Sequence, residues 1–346
     1  MAFSDSTQIP FNILDVLQGP PNQPVYYRIE VGSSIKYLTA SKPLSGLPDI
    51  NGDYLKFDTI PSGDWDVASL VSDVDGKFIV ASTEKKQFPD ATSMWHASNI
   101  DWLELWRLQL QELKEGHDSN SQDDDHLQLR GHFPSAIFPG PKNLGGSKVA
   151  AFWNLNLNGE HNHGLSCESY IYSLIQDISV APKFLAHLTD NHKHIIGYVL
   201  ELVPARNANI NDLYLCKEAL QKLHNLGIAH GHLTADTFLV HQETSSVQLQ
   251  SFFSSYETTD QEVLDKEMSS VENILQQPPL PKRVRDKKLI QEITAIQQRD
   301  GYIHPGLFKQ LESDGRINIS KDDHRAMLAD LKEKNWQWNT QEVQDN

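Results

Sequence analysis

The chain has 346 residues, 39% hydrophobic and 22% charged, which suits a globular protein with at least one sizeable core and room for two domains. Its formal net charge of -16 argues against a dominant nucleic-acid-binding or anionic-membrane-binding surface, because phosphate groups attract clustered Lys and Arg. The two cysteines, Cys167 and Cys216, form no C-x-x-C pair and read as reduced thiols rather than zinc ligands.

At the N-terminus no basic segment precedes an apolar run, and no apolar stretch approaches the ~20 residues of a membrane span, so the expected location is cytoplasmic. Residues 11–105 read as β-rich. Val25-Tyr26-Tyr27-Arg28-Ile29-Glu30-Val31 and Ile35-Lys36-Tyr37-Leu38-Thr39 flank Gly32-Ser33-Ser34 and predict a hairpin. Residues 65–72 and 77–82 predict a second strand pair around a turn at 73–76. In 101–114, Leu103, Trp106, Leu110 and Leu113 recur at helical spacing. Residues 115–125 (EGHDSNSQDDD) offer no apolar surface to offset ordering entropy and read as an acidic loop.

A second pattern begins near Ser147. Residues 149–153 read as a strand, 167–178 as a helix and 194–203 as a buried strand ending at Pro204. Residues 211–225 give a clear amphipathic helix, with Asp212 at its start and Gly227 at its stop. Residues 237–240 and 247–252 predict a hairpin. The tail predicts helices at 260–276, 286–299, 304–313 and 321–334, and the basic run 282–288 reads as a charged linker. His161, His163, His187, His192 and His194 sit in loop and turn context without an H-x-x-x-H helix, so no metal site is expected. Trp65, Trp95, Trp102 and Trp106 read as core aromatics.

The most informative stretch runs from Leu223-His224-Asn225-Leu226-Gly227-Ile228-Ala229-His230-Gly231-His232 through Leu239-Val240 to Ser251-Phe252-Phe253. It resembles the catalytic and metal loops of protein kinases and aminoglycoside-type phosphotransferases. It is most similar to a fungal family of kinase-like proteins often mislabelled α-galactosidase A, whose loop carries His-Gly-Asp, then an Asn, then Ile-Asp-Phe at the end of a strand. Further likeness lies in Pro182-Lys183-Phe184-Leu185-Ala186-His187-Leu188-Thr189, in Ile196-Gly197-Tyr198-Val199-Leu200-Glu201, and in Leu14 to Pro21, Gly63-Asp64-Trp65 and Trp95-His96. The resemblance covers residues 10–255.

It implies an α+β chain: an N-terminal β-rich region (1–105), a kinase-like N-lobe (106–203) carrying the acidic loop, and a helical C-lobe with the C-terminal helices (204–346). Kinase chemistry needs a catalytic carboxylate, an Asn and an Asp for Mg²⁺, and a Lys fixed by a helix Glu. On the resemblance those positions hold His232, Thr237, Ser251 and Ala151, while Glu168 matches the helix Glu. Lys148, at an odd offset from Ala151, is expected on the opposite strand face. Gly145-Gly146 is the remnant of a Gly-rich loop and otherwise a turn.

Loss of these groups removes the charge stabilisation on which phosphoryl transfer depends. The expectation is a pseudokinase, a binding or regulatory protein with no required cofactor. ATP without turnover, a small molecule or a protein partner would occupy a cleft lined by Ala151, Glu168, Glu201, Thr237 and Ser251. His230 is expected to be a structural loop anchor. Two alternatives stand beside it. One is a repurposed transferase of fungal secondary metabolism with His232 as base, assisted by Asp236 or Glu168. The other is an atypical ATP-dependent phosphotransferase.

Overall fold

A computed structural model describes residues 11–17, 24–40, 60–72, 78–114, 128, 133, 135–154, 163–244 and 246–277. All belong to the unit formed by residues 1–44 and 55–282. The acidic loop, the basic run and the helices expected beyond residue 277 lie outside the described residues.

Alternation of β-branched and aromatic residues builds the first sheet. β1 (Phe11–Leu17), β2 (Val25–Val31), β3 (Ser34–Ala40), β4 (Val67–Ser72) and β5 (Phe78–Glu84) lie in that order. β2 and β3 form the expected hairpin with Val31 opposite Ser34, and β3 and β4 run parallel. β4 and β5 pair antiparallel, as their sequences suggest.

The second sheet has the order β6-β9-β10-β8-β7. Its strands are β6 (Asn99–Asp101), β7 (Ser135–Phe138), β8 (Val149–Trp153), β9 (Phe184–Asp190) and β10 (His194–Glu201). The pair Gly145 and Gly146, both at positive φ, makes the turn between β7 and β8. Helix α1 (Trp102–Lys114) follows β6 directly, and Asp101 accepts from Leu103 N at its start. The boundary expected after residue 105 therefore runs through a helix, and the second sheet begins before it.

Helix α2 (His163–Ile175) starts earlier and ends sooner than 167–178. Gly164 sits in its first turn, where a Cβ would come within 3.1 Å of the Phe133 ring. At the other end Ile178 N bonds back to Ile175 O and tightens the chain into a turn.

Beyond β10 the chain passes Leu202-Val203-Pro204 into β11 (Ala205–Asn207) and α3 (Leu213–His224). Arg206 grips Asp212 through two bonds of 2.7 Å immediately before α3. That guanidinium outweighs partial burial and holds the Asp212 carboxyl below its usual range. β13 (Phe238–His241) pairs with β11 and β14 (Val247–Leu249), and β12 (Ile228–Ala229) pairs with β15 (Tyr256–Glu257). The strand expected over 247–252 ends at Leu249, because Ser251 turns to φ 68° and Phe252–Ser254 form a 3-10 turn. Helix α4 (Gln261–Gln276) matches the first tail helix, capped by the Asp260 side chain on Glu262 N.

The chain is thus an α+β protein, and no helix among the described residues is long and apolar enough to cross a membrane. Two cores meet at the second sheet. One face joins Tyr37, Trp102, Phe138, Ala151 and Val199 to the first sheet and α1. The other joins Phe152, Tyr172, Tyr198, Leu220 and Phe252 to α2, α3 and α4. Burial of such side chains contributes roughly 1.5–3 kcal/mol each. Trp65 and Trp102 are buried, and Trp95 and Trp106 are half-buried against the cores.

Candidate functional site

After α3 stops, Gly227 at φ 70° turns the chain into β12 and delivers His230 beneath the 250–255 loop. Gly231 has φ 81°, and a Cβ there would lie 2.1 Å from Ser254 O, so glycine is the residue this close approach permits. Glu267 of α4 then clamps the turn. Its carboxylate accepts from His230 N (2.9 Å), Gly231 N (2.7 Å) and His224 Nε2 (2.8 Å). Burial pushes the Glu267 carboxyl up, but these bonds outweigh it and bring the group below its usual range.

His230 is fully buried, and its Nε2 lies 2.9 Å from Gln250 O. A carbonyl only accepts, so the ring proton sits on Nε2. Burial lowers its pKa to about 4, which keeps the ring neutral. Ser255 Oγ donates to His230 O, and Gln250 Nε2 donates to Asp236 O. Together these bonds fix His230, Asp236 and Gln250 in one rigid layer.

Thr237 is buried and serves the loop itself, accepting from Thr234 N at 3.0 Å. Asp236 is buried in the same 3-10 turn. His232 is exposed, with its ring 5.4 Å from Phe253.

Glu168 projects from α2 into the opposite core and is 5% exposed. It accepts from Phe252 N at 3.1 Å, from Ser251 N and from the Tyr198 hydroxyl. Burial is the larger influence and raises its pKa to about 7 despite these donors. Phe152 stacks on Tyr198 at 5.3 Å, and Tyr172 meets Phe252 edge-on at 5.4 Å. Glu168 is therefore roofed by aromatic rings, with backbone amides rather than a lysine on its oxygens.

β8 also corrects the expected strand face. Ala151 belongs to the core facing the first sheet, whereas Ala150 and Phe152 face α2 and Glu168. The residue beside Glu168 is Phe152, and Ala151 does not line the cleft. Lys148, exposed just before β8, shares the parity of Ala150 and Phe152 and so lies opposite Ala151, as its odd offset predicts. The cause is burial on both faces: four consecutive buried residues carry no alternation from which a face can be read.

A cavity of about 10 Å³ remains here, lined by Phe133, Phe152, Glu168, Ser251, Gln250 and Phe253, with Gln128, Tyr172 and Leu200 closing it. That is room for about one water molecule. Of the expected cleft residues, Glu168 and Ser251 line this cavity, whereas Ala151 and Thr237 do not, and neither do the expected catalytic residues His232 and Asp236. Glu201 contributes through its backbone: its side chain accepts from Lys183 N, while its carbonyl accepts from Gln128 Nε2. Val203 N donates to Gln128 Oε1. Sequence reasoning missed Gln128, Gln250, Phe152 and Phe253. The only signal was the polar residue set between two leucines in Leu127-Gln128-Leu129.

The histidines serve separate purposes. His187 Nε2 accepts from Trp95 N and His96 N, and burial lowers its pKa to about 4. His194 faces Phe88, and His192 lies near Asp101 and Glu104. The side chains of His161 and His163 lie outside the described residues. Among the described residues no three His, Cys, Asp or Glu side chains converge as a metal site.

Fold and site together define an α+β protein in which, among the described residues, Glu168 and Ser251 face a cavity of about 10 Å³. No protein-family model matches the chain, and no curated protein matches it.

Proposed function

We propose that the chain is a kinase-like pseudoenzyme, a cytosolic binding or regulatory protein that does not transfer phosphate from Mg·ATP. On this reading the second sheet with α2 is the N-lobe, residues 202–204 are the hinge, and α3, α4 and the short sheets between them form the C-lobe. The order of elements supports it: a strand, a helix bearing Glu168, two strands, a linker, a helix, then the His230 loop and the Ser251 turn.

One observation carries the proposal. Glu168 is held by the amides of Ser251 and Phe252 under Phe152 and Tyr198, where a working site needs a Lys ion pair and a metal carboxylate. A buried carboxyl with a pKa of about 7, facing a serine, provides little of the charge that phosphoryl transfer requires. The reading as a repurposed enzyme with His232 as base would place its substrate at the exposed His232 ring, outside the cavity at Glu168 and Ser251. The partner on this proposal is another protein that recognises the outer surface of the closed fold.

The test is thermal melting and phosphate release with Mg·ATP. A ligand at a hundredfold excess over its Kd stabilises by about 2.7 kcal/mol, a shift of several degrees. The expected result is an unchanged midpoint and no phosphate release. Mg-dependent turnover that is lost in His232→Ala or Lys148→Ala would overturn the proposal.

A further inference from the structure

Glu168 and Tyr172 stand about one turn apart on α2, and both line the same cavity. Tyr172 is 2% exposed, and its hydroxyl has no hydrogen-bond partner. Buried hydroxyls bond protein or an ordered small molecule, so this one points to a ligand. Glu168 accepts from Phe252 N, Ser251 N and the Tyr198 hydroxyl, which leaves free about one of the roughly four bonds a carboxylate can take. None of these donors carries a charge. A buried carboxylate without a counter-charge is costly, and the cavity is where a counter-charge fits.

The rings of Phe152 and Phe253 and the side chain of Ser251 also line the cavity. Ring faces, hydroxyl oxygens and carboxylate oxygens are all electron-rich, so the lining favours a cation that donates in several directions. The volume of about 10 Å³ admits one particle of the size of water. Ammonium meets each condition: it is close to water in size, carries one positive charge, points N–H donors outward on all sides and has no lone pair to satisfy. Water matches the size but brings no counter-charge to Glu168. Ser251 and Phe253 are only half-buried, which gives an ion a side from which to enter.

We propose that this cavity binds an ammonium ion, held between the Glu168 carboxylate and the Tyr172 hydroxyl beside the rings of Phe152 and Phe253. The inference goes beyond the reading as a non-catalytic binding protein: it names a ligand for the junction and stands on the cavity alone. Binding exchanges a proton for the ion. The Glu168 O–H bond breaks, its proton goes to solvent, and the carboxylate left behind pairs with ammonium. The groups around Glu168 leave this exchange to it. Burial and the Glu168 charge raise the Cys167 thiol and the Tyr172 and Tyr198 hydroxyls. His230, packed on Phe252, is held neutral by burial with a pKa of about 4. On the strands, Lys148 lies exposed before β8, and Glu201 at the end of β10 accepts from Lys183 N.

The full chain is melted at pH 8 in ammonium, potassium and tetramethylammonium chloride at one ionic strength. Potassium has nearly the size of ammonium but no N–H donor, and tetramethylammonium is too large for the cavity. At saturation, ammonium is expected to raise the midpoint by several degrees over both. Titration calorimetry in buffers of different ionisation enthalpy counts the protons: about one leaves per ammonium bound at pH 6, and few leave at pH 8. Glu168→Gln is expected to abolish binding. Tyr172→Phe, which removes only the hydroxyl, is expected to weaken it about tenfold or more and carries the test if the first variant does not fold. Equal midpoints in the three salts, a potassium effect as large as that of ammonium, or an ammonium effect that survives Glu168→Gln overturns the proposal and leaves the cavity to water. Turnover of Mg·ATP would overturn the pseudoenzyme reading instead, whatever the ammonium data show.

Discussion

Glu168 and His230 pull the stability of the fold in opposite directions with pH. The Glu168 pKa of about 7 lies above its ordinary 4.5, so the folded state holds this proton more tightly. Its contribution is full below about pH 4.5 and is lost as pH rises through 7, a loss on the order of 3 kcal/mol. His230 and His187, both depressed by burial to about 4 from 6.5, contribute fully above pH 6.5 and lose that contribution as pH falls through 4. In urea unfolding, Glu168→Gln is expected to gain on the wild type steadily between pH 5 and 8; parallel curves would contradict the assignment. Glu168 was legible through its place in the resemblance. Gln128 was not, since nothing in a lone Gln announces that it will be buried, or that its partners are main-chain atoms distant in sequence. Phe152 was lost to the double-faced burial of β8, which erased the alternation that assigns a residue to a face.

At the level of elements, α4 holds the loop that α3 and β12 deliver. Glu267→Ala leaves two amides and His224 without their acceptor, and the expected cost is about 2–4 kcal/mol in chemical denaturation. Gly231→Ala places a methyl 2.1 Å from Ser254 O at φ 81° and is expected to cost more than about 2 kcal/mol. A variant of either kind that melts with the wild type would deny the loop its clamp. α3 and α4 were legible because each keeps one wet face and the period survives in the sequence, and the hairpin of β2 and β3 was legible from its β-branched and aromatic run and its Gly32 turn. β9 went unread as a strand because most of it is buried. β6 and β7 were missed as runs of only three and four residues, too short for a period to show. The end of β14 was set by a left-handed serine, a conformation that residue type does not signal.

Across the whole molecule, the first sheet and the second are joined by a buried ion pair. Arg28 Nε donates to Asp190 at 2.9 Å, a second guanidinium bond reaches the same carboxylate, and Tyr37 adds its hydroxyl at 2.5 Å. Trp102 covers the guanidinium at 4.5 Å. Both charges are fully buried, so removing one strands the other, and Arg28→Ala is expected to cost about 3–5 kcal/mol. The first sheet shares a core with the second, so far-UV and tryptophan signals are expected to follow a single unfolding transition; two separated transitions would show an independent β domain. A contact spanning 162 residues leaves no trace in local sequence, which is why a boundary at residue 105 looked reasonable. The most direct test of the account is a crystal structure of the full chain grown with Mg²⁺ and a non-hydrolysable ATP analogue. The account predicts Gln128 still bonded to Glu201 and Val203, Glu168 still on the amides of Ser251 and Phe252, and no nucleotide at the junction. An adenine bonded to Glu201 O and Val203 N with Gln128 displaced, and a metal ion bound on its phosphates, would contradict it.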